Sequence, residues 1–214
     1  VHSQADFEKA IHSMGLALVP EQIIQASRFA EILYRENQSQ NLTRIEGVEE
    51  FIEGHLIDVV ELLGVPTLGL RIMDLGSGSG VPGLLSGAIC ANQQRSWHLV
   101  ESESHKAAYL DNSSKELGLK NTFVYGERGE SAILDIKPDT VIARAVGTVD
   151  KIAGWIWNCS TWNNLILFKS KGWEREWGEA QKTRFGKKLT ITHTHDYSTN
   201  HRTRLLVTLK RKSL

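Results

Sequence analysis

Asp74-Leu75-Gly76-Ser77-Gly78-Ser79-Gly80 is the stretch on which the reading of this chain turns. Residues 71–75 before it read as a strand, and 82–90 after it read as a helix. Glycines at 76, 78 and 80 let the backbone turn sharply, take φ values other residues resist, and come close to a bound molecule. The helix beyond presents N–H groups with no partner of their own. In open α/β sheets, ligands sit beyond the carboxyl ends of strands, so a strand–glycine–helix turn predicts a cofactor site. A bare strand-to-helix turn would not require three glycines in five positions.

Moving outward, short apolar runs alternate with helical stretches. Strands are predicted at 97–100, 122–125, 140–143 and 165–168, and helices at 104–117, 149–157 and 174–185. The chain ends on two β-rich runs, 189–195 and 204–209, joined by the polar turn Ser198-Thr199-Asn200, which predicts a hairpin. Alternation of β and α implies a parallel sheet with helices on both faces. The expected fold is α/β, a Rossmann-like methyltransferase arrangement: a mostly parallel seven-stranded sheet closed by an antiparallel hairpin.

Upstream, residues 1–67 read as a helical subdomain and 68–214 as the Rossmann-like domain. Phe7, Ala10 and Ile11 recur at helical spacing before Gly15. Pro20 opens a second helix carrying Ile23, Ala26, Ala30 and Leu33, and a third runs from Val48 to Leu63. The segment Gly64-Val65-Pro66-Thr67 marks the boundary.

The formal net charge of zero hides a polarity. From Lys169 onward there are 12 Lys plus Arg against 4 Asp plus Glu, whereas the first 63 residues hold 4 against 11. Such asymmetry predicts an oriented encounter with a polyanion, basic end first, with the acidic helices turned away. Cys90 and Cys159 stand far apart in no metal-like spacing; inert core thiols, no metal and an intracellular compartment are expected. No apolar run reaches membrane-span length, and the first residues do not resemble a signal peptide.

Gly78, Gly80 and Gly83 also satisfy the dinucleotide pattern, so the glycines alone leave the cofactor open. Three features favour S-adenosyl-L-methionine. Asp74 lies two residues before the first glycine, where a carboxylate can meet the amino acid end of that cofactor. Glu101 ends the next strand, placed for two ribose hydroxyls, although nicotinamide enzymes use an acid in the same way. Pro82 at the helix start removes an N–H that a pyrophosphate would use.

Further motifs carry a resemblance: Asn41-Leu42-Thr43 between helices, His55 and Asp58 in the third helix, Glu101-Ser102 with Lys106 downstream, Arg128 and Glu130, Arg144-Ala145, Lys171-Gly172, and Arg204 with Leu206-Val207. With the glycine turn, they resemble the small-subunit (16S) ribosomal RNA guanine-N7 methyltransferases, also called glucose-inhibited division protein B. The resemblance implies S-adenosyl-L-methionine as cofactor and S-adenosyl-L-homocysteine as product. It implies cofactor contacts at Gly76, Gly78, Val81, Gly129, Glu130 and Arg144. Gly129 and Glu130 would lie at the adenine end, and Arg144 would be shared between cofactor and base. It implies 16S ribosomal RNA or the small subunit as partner, and a monomeric, cytoplasmic enzyme. The chain departs from the family pattern at Leu85 (usually proline), Val59 (usually serine), His105 beside Lys106 (usually two basic residues) and Gly129 (usually alanine or valine).

Guanine N7 has a lone pair and no proton to lose, which suits a chain with no evident catalytic dyad. The expected RNA contacts are Lys106, Lys169, Lys171, Lys187, Lys188 and Arg204. His55 and Asp58 share one helix face and read best as a buried pair tying helices to sheet. Trp155, Trp157, Trp162, Trp173 and Trp177 read as packing rather than base stacking. Other functions stay open from the residues alone: a divergent paralogue acting on another RNA or small molecule, a non-catalytic RNA-binding protein with this fold, or a nicotinamide oxidoreductase.

Overall fold

Strand β1 (Arg71–Leu75) lies inside a seven-stranded sheet of order β3-β2-β1-β4-β5-β7-β6. This is a computed structural model describing residues 3–199 and 203–212. Strands β2 (Ser96–Val100), β3 (Thr122–Tyr125), β4 (Thr140–Arg144) and β5 (Asn164–Ser170) run parallel to β1. Strand β7 (Thr203–Arg211) runs antiparallel to β5 and to the edge strand β6 (Leu189–Ser198). The mostly parallel sheet with its closing hairpin is the expected architecture. Of the expected hairpin turn, Asn200 lies outside the described residues.

The central strands are buried on both faces, as a parallel sheet requires. One apolar cluster joins the sheet residues Ile72, Leu99, Ile142 and Ile166 to helices α1 (Gln4–Ser13), α2 (Pro20–Gln40), α3 (Val48–Phe51), α4 (Ile57–Leu63), α5 (Gly83–Ile89) and α6 (Ser104–Glu116). Phe51 centres it, with ring centroids 5.7 Å from Phe7 and 6.1 Å from Phe29. The other face, with Met73, Val141 and Leu167, packs on α7 (Gly129–Ile136), α8 (Val149–Ile156) and α9 (Trp173–Ala180). Residues 4–63 therefore complete one layer of a three-layer stack. We propose that the division at Thr67 is topological and that the first 67 residues do not fold apart from the sheet.

Local chemistry explains the helix ends. Ser3 and Asp6 form a capping box at α1: the Asp6 amide donates to Ser3 Oγ at 3.2 Å, and the Ser3 amide donates to Asp6 Oδ2 at 2.9 Å. Helix α2 opens at Pro20 and stops at Asn41, whose φ of 51° is left-handed.

Three features differ from the expectations. Helix α7 was not anticipated. The helix expected over 174–185 stops at Ala180 and is followed by a 3₁₀ turn at Gly186–Lys188, because Asp150 Oδ1 draws the amides of Phe185 (3.0 Å) and Gly186 (3.4 Å) to itself. The third helix is not continuous: a π-helical turn, Ile52–Leu56, separates α3 from α4. Among the described residues no helix is long and apolar enough to cross a membrane. Cys90 and Cys159 are both free thiols.

Helix α5 reaches the sheet through Gly83. A Cβ there would collide with the Asp74 carboxylate and lie 2.5 Å from Leu99 Cδ2. Gly83→Ala should therefore cost about 1–3 kcal/mol, the range for overpacking a filled core. Equilibrium urea unfolding checks this, and an unchanged midpoint would show that the helix moves away freely.

Candidate active site

The sheet's strand order reverses at β1, whose neighbours are β2 on one side and β4 on the other. That is the switch point where open α/β sheets leave a crevice at their carboxyl ends. The glycine turn forms its floor. Gly76, Gly78 and Gly80 have φ of 73°, 53° and 86°, a region that other residues seldom adopt. The turn is tied down from several sides. The Gly76 and Ser77 amides donate to the Val100 carbonyl at 2.9 and 3.0 Å. Tyr109 Oη of α6 donates to the Ser79 carbonyl at 3.1 Å, and the Phe29 ring of α2 fills the space beside Gly80. A Cβ at Gly76 would strike Val146 in the loop after β4, whereas only the Gly76 carbonyl, at 3.8 Å, comes near a Cβ built at Gly78. Open space in front of Gly78 is what a ligand needs.

Two buried carboxylates flank the turn. Glu101 Oε2 accepts the Gly78 amide at 3.0 Å and Oε1 accepts the Glu103 amide at 2.9 Å. Each oxygen keeps a lone pair for a further donor. Asp74 Oδ2 accepts the Gly83 amide at 3.0 Å, while Oδ1 is buried with no partner. Burial pushes the Asp74 carboxyl up to about 6, opposed by the Ser77 hydroxyl, then the Gly83 amide and the charge of Arg144. An acceptor short of a donor at Asp74, two usable oxygens at Glu101 and open space at Gly78 together fit S-adenosyl-L-methionine: ammonium end, ribose hydroxyls and body. Val81 is buried beside the turn, Ser102 is exposed after Glu101, and Gly129 and Glu130 open α7. A Cβ at Gly129 would strike the end of Leu75, so the Leu75 side chain occupies the space that a side chain at 129 would need. Leu85 and Val59 are fully buried, which makes those departures matters of packing.

Arg144 ends β4 on the far lip of the crevice. Ala145 behind it has a φ of 59°, a strained value for a residue with a side chain that redirects the chain there. Arg144 does not project freely. Its Nη1 donates to Asp58 Oδ2 at 2.7 Å and to the Gly54 carbonyl at 3.0 Å. Arg204 of β7 donates to Asp58 Oδ1 and to the same carbonyl, the latter at 3.4 Å, and Tyr197 Oη of β6 donates to Asp58 Oδ1 at 2.7 Å. One carboxylate thus gathers donors from three strands. The Gly54 carbonyl is available because it belongs to the π-helical turn, where the regular helix ladder is broken. Gly54 has a second reason to be glycine: a Cβ would strike Ile45 in the loop after α2.

His55 sits against this cluster, with Nδ1 2.8 Å from the Gly54 carbonyl and Nε2 3.3 Å from Thr43 Oγ1. Burial, and then the charge of Arg144, lower its pKa to about 3, so the ring is neutral. Burial raises the Tyr197 phenol, which is also neutral. Two guanidiniums against one carboxylate leave the cluster one positive charge in excess. His55 and Asp58 do tie helix to sheet, as expected, but through Arg144, Arg204 and Tyr197 rather than to each other. Gly54 and Tyr197 carry no signal in the sequence, and Thr43 carries one only as part of the polar break Asn41-Leu42-Thr43.

The cluster floors a cleft of about 1590 Å³ between the N-terminal helices and the β4–β5–β7 end of the sheet. Lys169, Lys171 and Arg204 line it, joined by Arg44 and Arg175, which sequence reading did not select. Lys169 is committed to Glu176 at 2.7 Å. Lys106 lies on the other side, beside Glu101, paired with Glu103 at 2.8 Å. Glu50 and Glu53 line the cleft too, so the acidic helices do not turn away from it as expected. Lys187 and Lys188 are not in the cleft. They precede Leu189, which pairs with Arg211 at the opposite end of the sheet. The tryptophans pack: Trp173 and Trp177 stack at 5.6 Å, and Trp157 and Trp162 enclose Arg211 at 4.6 and 4.4 Å.

Solved structures share the fold. A Streptococcus pneumoniae protein in complex with S-adenosyl-L-methionine matches 74% of this chain and 73% of its own, with a TM-score of 0.56 and 11% identity. The Bacillus subtilis M1A22 tRNA methyltransferase matches 75% of this chain and 66% of its own, with a TM-score of 0.57 and 13% identity. At those identities the likeness is one of fold. Sequence relatives are nearer. The ribosomal RNA small subunit methyltransferase G of Rhodopirellula baltica is 33% identical over 180 residues, 83% of this chain and 76% of that protein. That of Marinomonas sp. is 34% identical over 148 residues, 69% of this chain and 70% of that protein. The GidB family model, described as rRNA small subunit methyltransferase G, matches residues 22–206. Because that match runs from the second helix to the last strand and takes in both the crevice and the arginine cluster, the chain belongs to the GidB family of small-subunit rRNA methyltransferases.

Proposed function

We propose that the protein methylates N7 of a guanine in 16S ribosomal RNA, using S-adenosyl-L-methionine and releasing S-adenosyl-L-homocysteine, in the bacterial cytoplasm. One observation carries the reading. The cofactor crevice and the large cleft meet at Arg144, and the cluster around it holds an excess positive charge but no free base. Asp58 is saturated by three donors, and His55 is neutral and engaged on both nitrogens. A site that must deprotonate an exocyclic amine or a hydroxyl needs a poised base. N7 needs none.

When bound, S-adenosyl-L-methionine supplies an activated methyl group. Asp74 would take its ammonium, Glu101 and Ser102 the ribose side, Gly76, Gly78, Gly80 and Val81 its body, and Gly129 and Glu130 the adenine end. Arg144 positions cofactor and base without exchanging a proton. Lys171, Arg204 and, after release from Glu176, Lys169 face the RNA in the cleft. Holding two reactants aligned can lower a barrier by roughly 7–11 kcal/mol in favourable cases, which is the contribution this arrangement calls for. Relatives named for ribosomal RNA support the substrate class.

Gly78→Asp should abolish cofactor binding while leaving the fold intact, because aspartate tolerates a left-handed φ and the space around it is open. Isothermal titration giving unchanged affinity would move the site elsewhere.

The pH dependence follows from Asp74. Its carboxyl, at about 6, lies above the ordinary value near 3.9. Ionising it therefore removes on the order of 3 kcal/mol of stability, present below pH ~4 and lost as pH rises through 6. The cofactor's ammonium returns part of that. Cofactor affinity should be highest near pH 7, before the cofactor's own ammonium loses its proton, and fall about tenfold per unit below 6, and Asp74→Asn should bind weakly without that acid limb. With saturating cofactor, the single-turnover rate should stay flat from about pH 7 to 9, the range where a tuned base would show. A rising limb there would point to an acceptor that must lose a proton.

A further inference from the structure

The basic C-terminal segment is contiguous in sequence and divided in space. Strand β7 begins at the cleft, where Arg204 pairs with Ser170, and ends at the far edge of the sheet, where Arg211 pairs with Leu189. Seven residues of strand separate Arg204 from Arg211, roughly 23 Å at ~3.3 Å per residue. At that far edge the 3₁₀ turn Gly186–Lys188 meets the end of β7. The Lys212 amide donates to the Lys188 carbonyl at 2.8 Å, and Lys212 Nζ donates to the Lys187 carbonyl at 2.7 Å.

The cations gathered there are not used up by acids. Arg184, Lys187, Lys188 and Lys212 are exposed, and among the described residues none of them is in an ion pair. The carboxylate that reaches this turn is committed: Asp150 accepts the amides of Phe185 and Gly186. The patch is rigidly backed. Arg211, half-buried between Trp157 and Trp162, donates to the Trp157 and Cys159 carbonyls at 2.8 and 2.6 Å, and Lys188 Nζ lies 5.6 Å from the Trp157 ring. Holding like charges together without counter-charges costs self-repulsion, which a polyanion relieves.

We propose that this far edge is a second docking surface for the phosphate backbone of the substrate RNA, gripping it a sheet-length away from the methyl-transfer site. The proposal rests on the RNA reading above. B-form DNA advances roughly 3.4 Å per base pair and an A-form RNA duplex advances less, so the two contacts are at least about seven base pairs apart along a helix axis. The substrate must then be a folded RNA large enough to reach around the molecule. An oligonucleotide that fills only the cleft would forgo the second contact.

The test is Lys187→Glu/Lys188→Glu against a charge-matched control on the opposite layer, Lys9→Glu/Lys120→Glu. A full-length 16S transcript is titrated at several salt concentrations by fluorescence anisotropy. Each lost phosphate contact should flatten the log–log salt slope by about 0.7 on a single strand and about 0.9 on a duplex, so the Lys187/Lys188 variant should lose about 1.4–1.8 and the control much less. Cofactor affinity and melting temperature should match the parent, which separates lost contact from lost fold. Equal effects of the two variants would overturn the proposal, since bulk charge would then suffice. So would an unchanged slope, or variant-sensitive binding to phosphatidylserine vesicles with RNA binding intact, which would make the edge a lipid-facing one. If the parent protein itself fails to bind the transcript, the RNA reading falls first and takes this inference with it.

Discussion

The carboxylate of Asp58 is the point on which the arrangement depends. It projects, buried, from the third helix and takes donors from β4, β6 and β7: Arg144, Tyr197 and Arg204. A buried charge is tolerable only when fully paired, and removing one partner of such a cluster typically costs about 3–5 kcal/mol. That sets demands on everything near it. The helix must open a π turn so that the Gly54 carbonyl can share the load, residue 54 must lack a side chain so that Ile45 can pack there, and the N-terminal helices must lie on the sheet rather than beside it. In return, Arg144 is held in one orientation between the cofactor crevice and the cleft. The excess positive charge faces the cleft.

Much of this fold could be read from the chain, because its signals are local. Glycines needing positive φ announced the turn at 76–80, and short apolar runs announced the buried strands in order. Asp74 and Glu101 could be singled out because strand ends are predictable and the chemistry of the turn begins there. Arg144 and Arg204 were named through resemblance, and their common partner explains why both matter.

What stayed illegible is tertiary. Asp58 meets its partners across 86, 139 and 146 residues of sequence, separations that no periodicity reveals. A π turn depends on acceptors and donors outside the helix, so the third helix read as continuous. Helix α7 is hidden because it starts on a glycine and has no side-chain cap to mark its beginning. The charge polarity misled in a specific way. A hairpin reverses the chain, so lysines adjacent in sequence to cleft residues end at the other pole, while Glu50 and Glu53 come to line the cleft.

If Asp58 acts on the reaction, it does so by holding Arg144. A double-mutant cycle of Asp58→Asn and Arg144→Ala, read as single-turnover methyl transfer at a temperature where all four proteins are folded, tests it directly. Misplacing a positioning group can cost about a hundredfold in rate, so Asp58→Asn alone should slow transfer on that scale. In the Arg144→Ala background the same substitution should then have almost no further effect. Losses that multiply, each substitution slowing the reaction as much in the presence of the other as alone, would contradict the account.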